Sequence, residues 1–380
     1  MRTYFLLPFI LICLVAPAQD KALQEYLNLY AKEINPAIAG FQGFSFLDSL
    51  LKGKRIVALG ESSHGTEEYS ATKFQLIQYM HEKLGYNVLL FESPMANCSY
   101  VNLSPDTATR QLVRNSIQAV WHTETVRRLF AYVKERHIRF GGFDPQFMYS
   151  PYPEAVLTDA FETYPPIKNT LLQLEHRIAA TITTPRQYLS LKDSFSAAYD
   201  QLAVQLSALP LSPLQQWMKQ MITTNISYYA RINQGDQRDS CMAKNIIWMA
   251  ENLYPHEKII IWAHNTHIDK NPSHKKMMGK LLAAHFKDQF YGIGLYMVNG
   301  TTALNNRTII PVQPAPKGSL EEALTATGFR TTFIETGHPL FDRKMVTLHW
   351  GKDRQFLTPG KSYDAIVLVN GVRPPDYLKE

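Results

Sequence analysis

Six titratable residues stand just after short apolar runs in this 380-residue chain. Glu61 and His64 lie in Gly60-Glu61-Ser62-Ser63-His64-Gly65, and Glu92 opens Glu92-Ser93-Pro94. Asp144 opens Asp144-Pro145-Gln146, while His264 and His267 share His264-Asn265-Thr266-His267. An imidazole serves as general acid or base near neutral pH, and a carboxylate beside it fixes its tautomer. A carboxylate ending an apolar run needs a partner, which gives Glu92 weight. Three residues apart, His264 and His267 share one face of a helical turn. Each feature also has a purely structural reading. His64 and Glu61 could serve the helix that follows, Asp144-Pro145 could open an ordinary turn, and Arg238-Asp239 could be a first-turn charge pair. The spacing is not G-x-S-x-G, because the second glycine comes one residue late, so Ser62 and Ser63 are disfavoured as nucleophiles. Walker A, G-x-G-x-x-G and H-E-x-x-H are absent.

These residues need elements to bring them together. Arg55 to Gly60, Asn87 to Glu92, His137 to Phe143, Lys258 to Ala263, Gln289 to Val298, Thr331 to Glu335 and Asp364 to Asn370 are near-continuous apolar runs. Such runs suit strands buried on both faces of a parallel sheet. Glu67 to Leu84 carries Phe74, Ile77, Met80 and Leu84 at helical spacing, with Gly85 as a stop, and Thr123 to Lys134 is also amphipathic. The alternation predicts an α/β fold: a mostly parallel central sheet flanked by helices. From about Tyr152 to Asn252 no strand pattern appears. Pro166–Ala180, Pro185–Leu206 and Pro213–Ile232 read as helices, each opened by a proline. A large all-helical insertion at about 152–235 follows, within a single unit spanning 19–380. In an open parallel sheet, ligands bind beyond the carboxyl ends of the strands, where the six residues stand.

Hydrophobic residues make up 45% and charged residues 19%, which is globular composition and excludes wholesale disorder. The net charge of +6 is mild, and no basic block of the nucleic-acid-binding kind occurs. Three cysteines exclude a disulfide scaffold and a CxxC zinc module. Cys98 and Cys241 are left as a possible pair. Arg2, the apolar run from Tyr4 to Val15 and Ala16-Pro17-Ala18 read as a signal peptide over residues 1–18. That predicts a periplasmic or secreted protein with no stable membrane span after cleavage.

The same residues resemble the erythromycin esterase family. Gly60-Glu61-Ser62-Ser63-His64-Gly65-Thr66, Phe91-Glu92, Gly142-Phe143-Asp144-Pro145-Gln146, Arg238-Asp239 with Met242-Ala243 and Asn245, and Trp262-Ala263-His264-Asn265-Thr266-His267 follow the family pattern in order. The resemblance implies a metal-independent hydrolase that opens macrolide lactones, an antibiotic-resistance activity, and needs no cofactor. It places the essential histidine on His64, the glutamates on Glu61 and Glu92, and the second histidine pair on His264 and His267. Substrate contacts are expected from Lys73, Asp144, Gln146, Arg238, Asp239 and Asn265. Lys73 stands where the family often has arginine, which keeps the charge but loses the two-pronged donor.

The expected chemistry is attack of His64-activated water on an ester or lactone carbonyl. Glu61 or Glu92 would stabilise the imidazolium, while His264 or His267 supports the oxyanion or protonates the leaving alcohol. Two alternatives use the same residues: a metal-dependent hydrolase with Glu61, His64, Glu92, His264 and His267 as ligands, and a haem- or ligand-binding ChaN-like protein.

Overall fold

Alternating residues of each central strand feed opposite faces of one sheet. Ile56 and Ala58 join one core cluster, with Val88, Leu90, Ile259 and Ile261, whereas Val57 and Leu59 join the other, with Leu89, Phe91, Ile260 and Trp262. Strands apolar on both faces must be covered on both faces, which is why these runs carry so few polar residues. The computed structural model describes residues 20–34, 41, 43–103, 106–146, 161–182, 185–229, 237–271 and 277–379. The expected signal peptide lies outside them.

The strands are β1 (Lys32–Glu33), β2 (Ile56–Leu59), β3 (Tyr86–Pro94), β4 (Arg139–Asp144), β5 (Lys258–Trp262), β6 (Phe290–Ala303), β7 (Ile309–Pro311), β8 (Thr331–Glu335), β9 (Met345–His349), β10 (Asp353–Leu357) and β11 (Ala365–Val372). The main sheet runs β1-β8-β11-β6-β2-β5-β3-β4, with β7 on β6. From β11 to β4 every neighbouring pair is parallel. At the other edge β8 runs antiparallel to β11, and β1 to β8. β9 and β10 form a separate antiparallel hairpin.

On one face lie α1 (Glu67–Leu84), α2 (Met95–Leu103), α3 (Thr109–Ser116) and α4 (Glu124–Glu135). Gly85 ends α1 in the left-handed conformation, φ 75°, with its N–H on Met80 O. Thr123 caps α4 by accepting from Val126 N. Between β4 and β5 come α5 (Pro165–Ile182), α6 (Pro185–Ser207), α7 (Pro213–Tyr229) and α8 (Gln237–Trp248), with no strand among the described residues. Residues of all four share the core cluster of the second face with Ile56, Ala58 and Val88. α9 (Asn265–Ile268) is a single turn after β5, followed by α10 (Met278–Phe286). No helix among the described residues is long and apolar enough to cross a membrane. Cys98 and Cys241 are buried free thiols, so the possible pairing does not form.

Candidate active site

The strand order puts β2, β5, β3 and β4 side by side, and their carboxyl ends carry Glu61 with His64, His264 with His267, Glu92, and Asp144 in turn. Two glycines let the turn after β2 close up. A Cβ on Gly60 would meet Asn265 Oδ1 at 2.1 Å, and one on Gly65 would meet Ala303 O at 2.1 Å. Asn265 straps this turn to β6: its amide donates to Leu295 O at 2.8 Å and accepts from Leu295 N at 3.0 Å.

Glu61 is buried and receives three donors. His64 Nδ1 lies 2.7 Å from Oε1, Trp121 Nε1 donates to Oε1 at 2.8 Å, and Lys73 Nζ donates to Oε2 at 2.7 Å. Burial works against the charge, but Lys73 and His64 outweigh it and hold the carboxyl below its usual pKa. An ionised Glu61 requires the proton on His64 Nδ1, so in the neutral form of the ring Nε2 is the lone pair. Lys73 is fully buried, also donates to Ala263 O, and sits 4.3 Å above the Trp262 ring. Burial pushes its ammonium down to about 8, opposed by Glu61. Lys73 is thus held between Glu61, the Ala263 carbonyl and the Trp262 ring.

Glu92 anchors the second half. Its Oε2 accepts the His264 backbone N–H at 2.8 Å. Its Oε1 lies 2.8 Å from Arg238 Nη2 and 3.2 Å from His267 Nε2. Burial opposes ionisation, yet His267 and Arg238 hold the carboxyl well below its usual pKa. Arg238 grips Asp144 with two prongs, Nε to Oδ1 at 3.1 Å and Nη2 to Oδ2 at 2.7 Å. His267 Nδ1 meets Asp239 Oδ1 at 2.8 Å. Burial alone would lower the His267 pKa, but two flanking carboxylates raise it to about 10. A cationic His267 donates Nδ1–H to Asp239 and Nε2–H to Glu92. The 3.1 Å approach of Arg238 Nη1 to Nε2 is then a contact between two cations sharing one carboxylate.

His264 differs from both other histidines. Its Nδ1 accepts the Thr266 backbone N–H at 3.2 Å and also meets the Thr266 hydroxyl. A backbone N–H can only donate, so Nδ1 is the lone pair and Nε2 carries the hydrogen in the neutral ring. Nε2 is buried with no hydrogen-bond partner among the described residues. Burial, then the charges of His64, His267 and His349, keep the His264 pKa well below its usual value. The ring centroids of His64 and His264 are 5.1 Å apart. The His64 ring, held through Nδ1, and the spare N–H of His264 therefore stand side by side.

The six strand-end residues and the Lys73 and Arg238-Asp239 partners do meet. Asp144, Arg238 and Asp239 are bonded to other side chains of the cluster, and Asn265 to Leu295. These four tie the elements of the site to one another. The Gln146 backbone N–H bonds to Asp144 Oδ1 at 3.0 Å, which places this residue in the turn after β4. Three neighbours escaped the sequence reading. Trp121 lies before α4 and faces the His64 ring at 4.9 Å, and His349 and Trp350 come from the β9–β10 hairpin. A tryptophan following a histidine carries no spacing signal, and the hairpin lies far along the chain from the motifs.

The fold is an α/β protein whose open, mostly parallel sheet carries acid–imidazole pairs across its carboxyl rim, the edge where ligands bind in such folds. The chain matches the family model described as Erythromycin esterase over residues 81–372, which begins after Glu61 and His64. It is 30% identical to YbfO, a candidate hydrolase of Bacillus subtilis (strain 168), over 98% of each chain. It is 22% identical to erythromycin esterase type II of Escherichia coli, over 80% of this chain and 85% of that one. Among solved structures, a mutant of the erythromycin esterase EreC in its open conformation superposes with a TM-score of 0.72 at 18% identity, covering 92% of this chain and all of that one. A succinoglycan biosynthesis protein superposes with a TM-score of 0.78 at 17% identity, covering 94% and 98%. The chain belongs to the erythromycin esterase family. Family and relatives indicate a hydrolase.

Proposed function

We propose that the protein hydrolyses an ester or macrolide-type lactone by attack of a water molecule that His64 deprotonates. The observation that carries this reading is a pair of neighbouring imidazoles, His64 held through Nδ1 by Glu61 and His264 with an unpartnered Nε2–H. His64 Nε2 takes a proton from water as its oxygen attacks the carbonyl carbon. Glu61 keeps Nδ1 protonated and stabilises the imidazolium that forms. The His264 N–H donates to the oxygen on which charge develops. The tetrahedral intermediate then collapses, the proton on His64 passes to the leaving alkoxide, and acid and alcohol result. The charges balance: one water is consumed and no net proton is held by the protein. His267, between Asp239 and Glu92, holds its protons too tightly for this exchange and serves to fix Glu92.

The donor set also supports a water-based reaction over a metal-based one. Both Glu61 oxygens and both Glu92 oxygens already accept hydrogen bonds or ion pairs from protein groups. Among the described residues no group of three His, Cys, Asp or Glu side chains has metal-holding geometry. A metal would have to displace Lys73 or Arg238.

The test is mass spectrometry of a macrolide and general ester panel in the presence of chelator. Products heavier by one water support the proposal. Turnover restored only by added metal would favour the metal-dependent reading. A Soret band on haem titration with no turnover across the panel would favour a binding protein. For location, we propose export directed by residues 1–18, which N-terminal sequencing of the mature protein in its host tests.

A further inference from the structure

The β9–β10 hairpin stands apart from the main sheet, yet its turn reaches the candidate site. Trp350 lies in that turn with φ 55°, a left-handed conformation costly for a bulky side chain. Its backbone N–H donates to Ser62 O at 3.0 Å, so it is fastened to the turn that carries His64. Buried Glu321 holds β9 from behind, accepting the Leu348 N–H at 2.8 Å and the Thr347 hydroxyl. Strain held by anchors on both sides is what a positioned side chain requires.

The indole uses this anchorage to line the pocket. It stacks on His264 with centroids 5.6 Å apart and planes at 27°, and meets His64 at 5.4 Å and 84°. We propose that Trp350 is a positioning residue, which keeps the His264 ring dry and its unpartnered Nε2–H tautomer facing His64. This inference deepens the hydrolase reading and rests on it.

The physical argument is one of access. A neutral imidazole stays neutral when neither water nor an anion reaches it. The groups around His264 are His64 from the turn after β2, His267 from α9, His349 from β9 and Glu92 from β3. Glu92 spends its oxygens on the His264 backbone, Arg238 and His267, not on the His264 ring. Three of the four neighbours are imidazoles that disfavour a further positive charge. The indole covers one ring face where water would otherwise solvate the cation. Without it, a protonated His264 would stand 5.1 Å from His64 and reduce that ring's basicity.

The experiment is nitrogen-15 NMR of the His264 ring, identified by its loss in His264→Gln, in the wild type and in Trp350→Gly and Trp350→Phe. Glycine is at ease at positive φ, so Trp350→Gly removes the ring without adding strain. In the wild type, His264 keeps the neutral Nε2–H tautomer through the pH range in which histidines ordinarily titrate. In Trp350→Gly its titration enters that window, and kcat toward an ester falls on the order of 10- to 100-fold, most steeply on the acid side. Trp350→Phe stays near the wild type in both readouts. If Trp350→Gly does not fold, Trp350→Asn, which also tolerates positive φ, carries the same expectation. An unchanged His264 titration in either folded variant overturns the proposal. Failure of every ester to turn over would overturn the hydrolase reading instead, because the titration needs no substrate.

Discussion

Glu61 is where the chemistry of single residues converges, since one carboxylate orients His64, neutralises Lys73 and accepts from Trp121. Glu61→Gln removes the charge that fixes the His64 tautomer and stabilises its cation. The expected result is a fall in kcat of roughly 10²–10⁴ with little change in KM, measured on any ester that turns over. Lys73→Met leaves Glu61 buried without its cation, and is expected to cost about 3–5 kcal/mol in denaturant unfolding. These roles were partly legible in the sequence. The strand-end placement of Glu61, Glu92, His64 and His264 followed from apolar runs and family motifs. The division of labour between His264 and His267 was not, because it depends on Thr266 binding one ring while Asp239 and Glu92 bracket the other. The charge of Lys73 was visible in the sequence, whereas its burial against Glu61 and Trp262 was not.

At the scale of elements, the site is a joint between the sheet and α8. Arg238 and Asp239, in the first turn of that helix, reach Asp144, Glu92 and His267 on three strand ends. Because the His267 pKa is raised to about 10, the ion pairs it makes stabilise the fold fully below about pH 6.5 and fade as the pH rises through about 10. Lys73 works in the opposite direction between about 8 and its ordinary value, so the two must be separated by difference. The stability advantage of wild type over His267→Gln, from urea unfolding, should be roughly 3–5 kcal/mol at neutral pH and shrink across that alkaline window. A constant difference would show that His267 is not cationic in the fold. Gly60→Ala tests the close approach after β2: the added methyl meets the Asn265 amide, and a loss of about 1–3 kcal/mol is expected by thermal unfolding. Helices such as Glu67–Leu84 were read to the residue, because spacing and a glycine stop mark them locally. The β9–β10 hairpin was not: its half-exposed strands lack a continuous apolar run, and its contact with Ser62 is long-range. The antiparallel sense of β8 was equally invisible, since an apolar run carries no direction.

Across the whole molecule, the order β2-β5-β3-β4 makes four distant segments adjacent, and any open parallel sheet exposes such a rim at one end only. We read residues 19–380 as one α/β unit with the helices between β4 and β5 inserted over one face, where they share its core. The measurement that bears most directly on the account is the rate of ester opening by His64→Gln, compared with wild type, with folding verified by circular dichroism. The account predicts a loss of roughly 10²–10⁴ in kcat with the cooperative unfolding transition retained. A folded His64→Gln protein that opens the ester within a few-fold of the wild-type rate would contradict it.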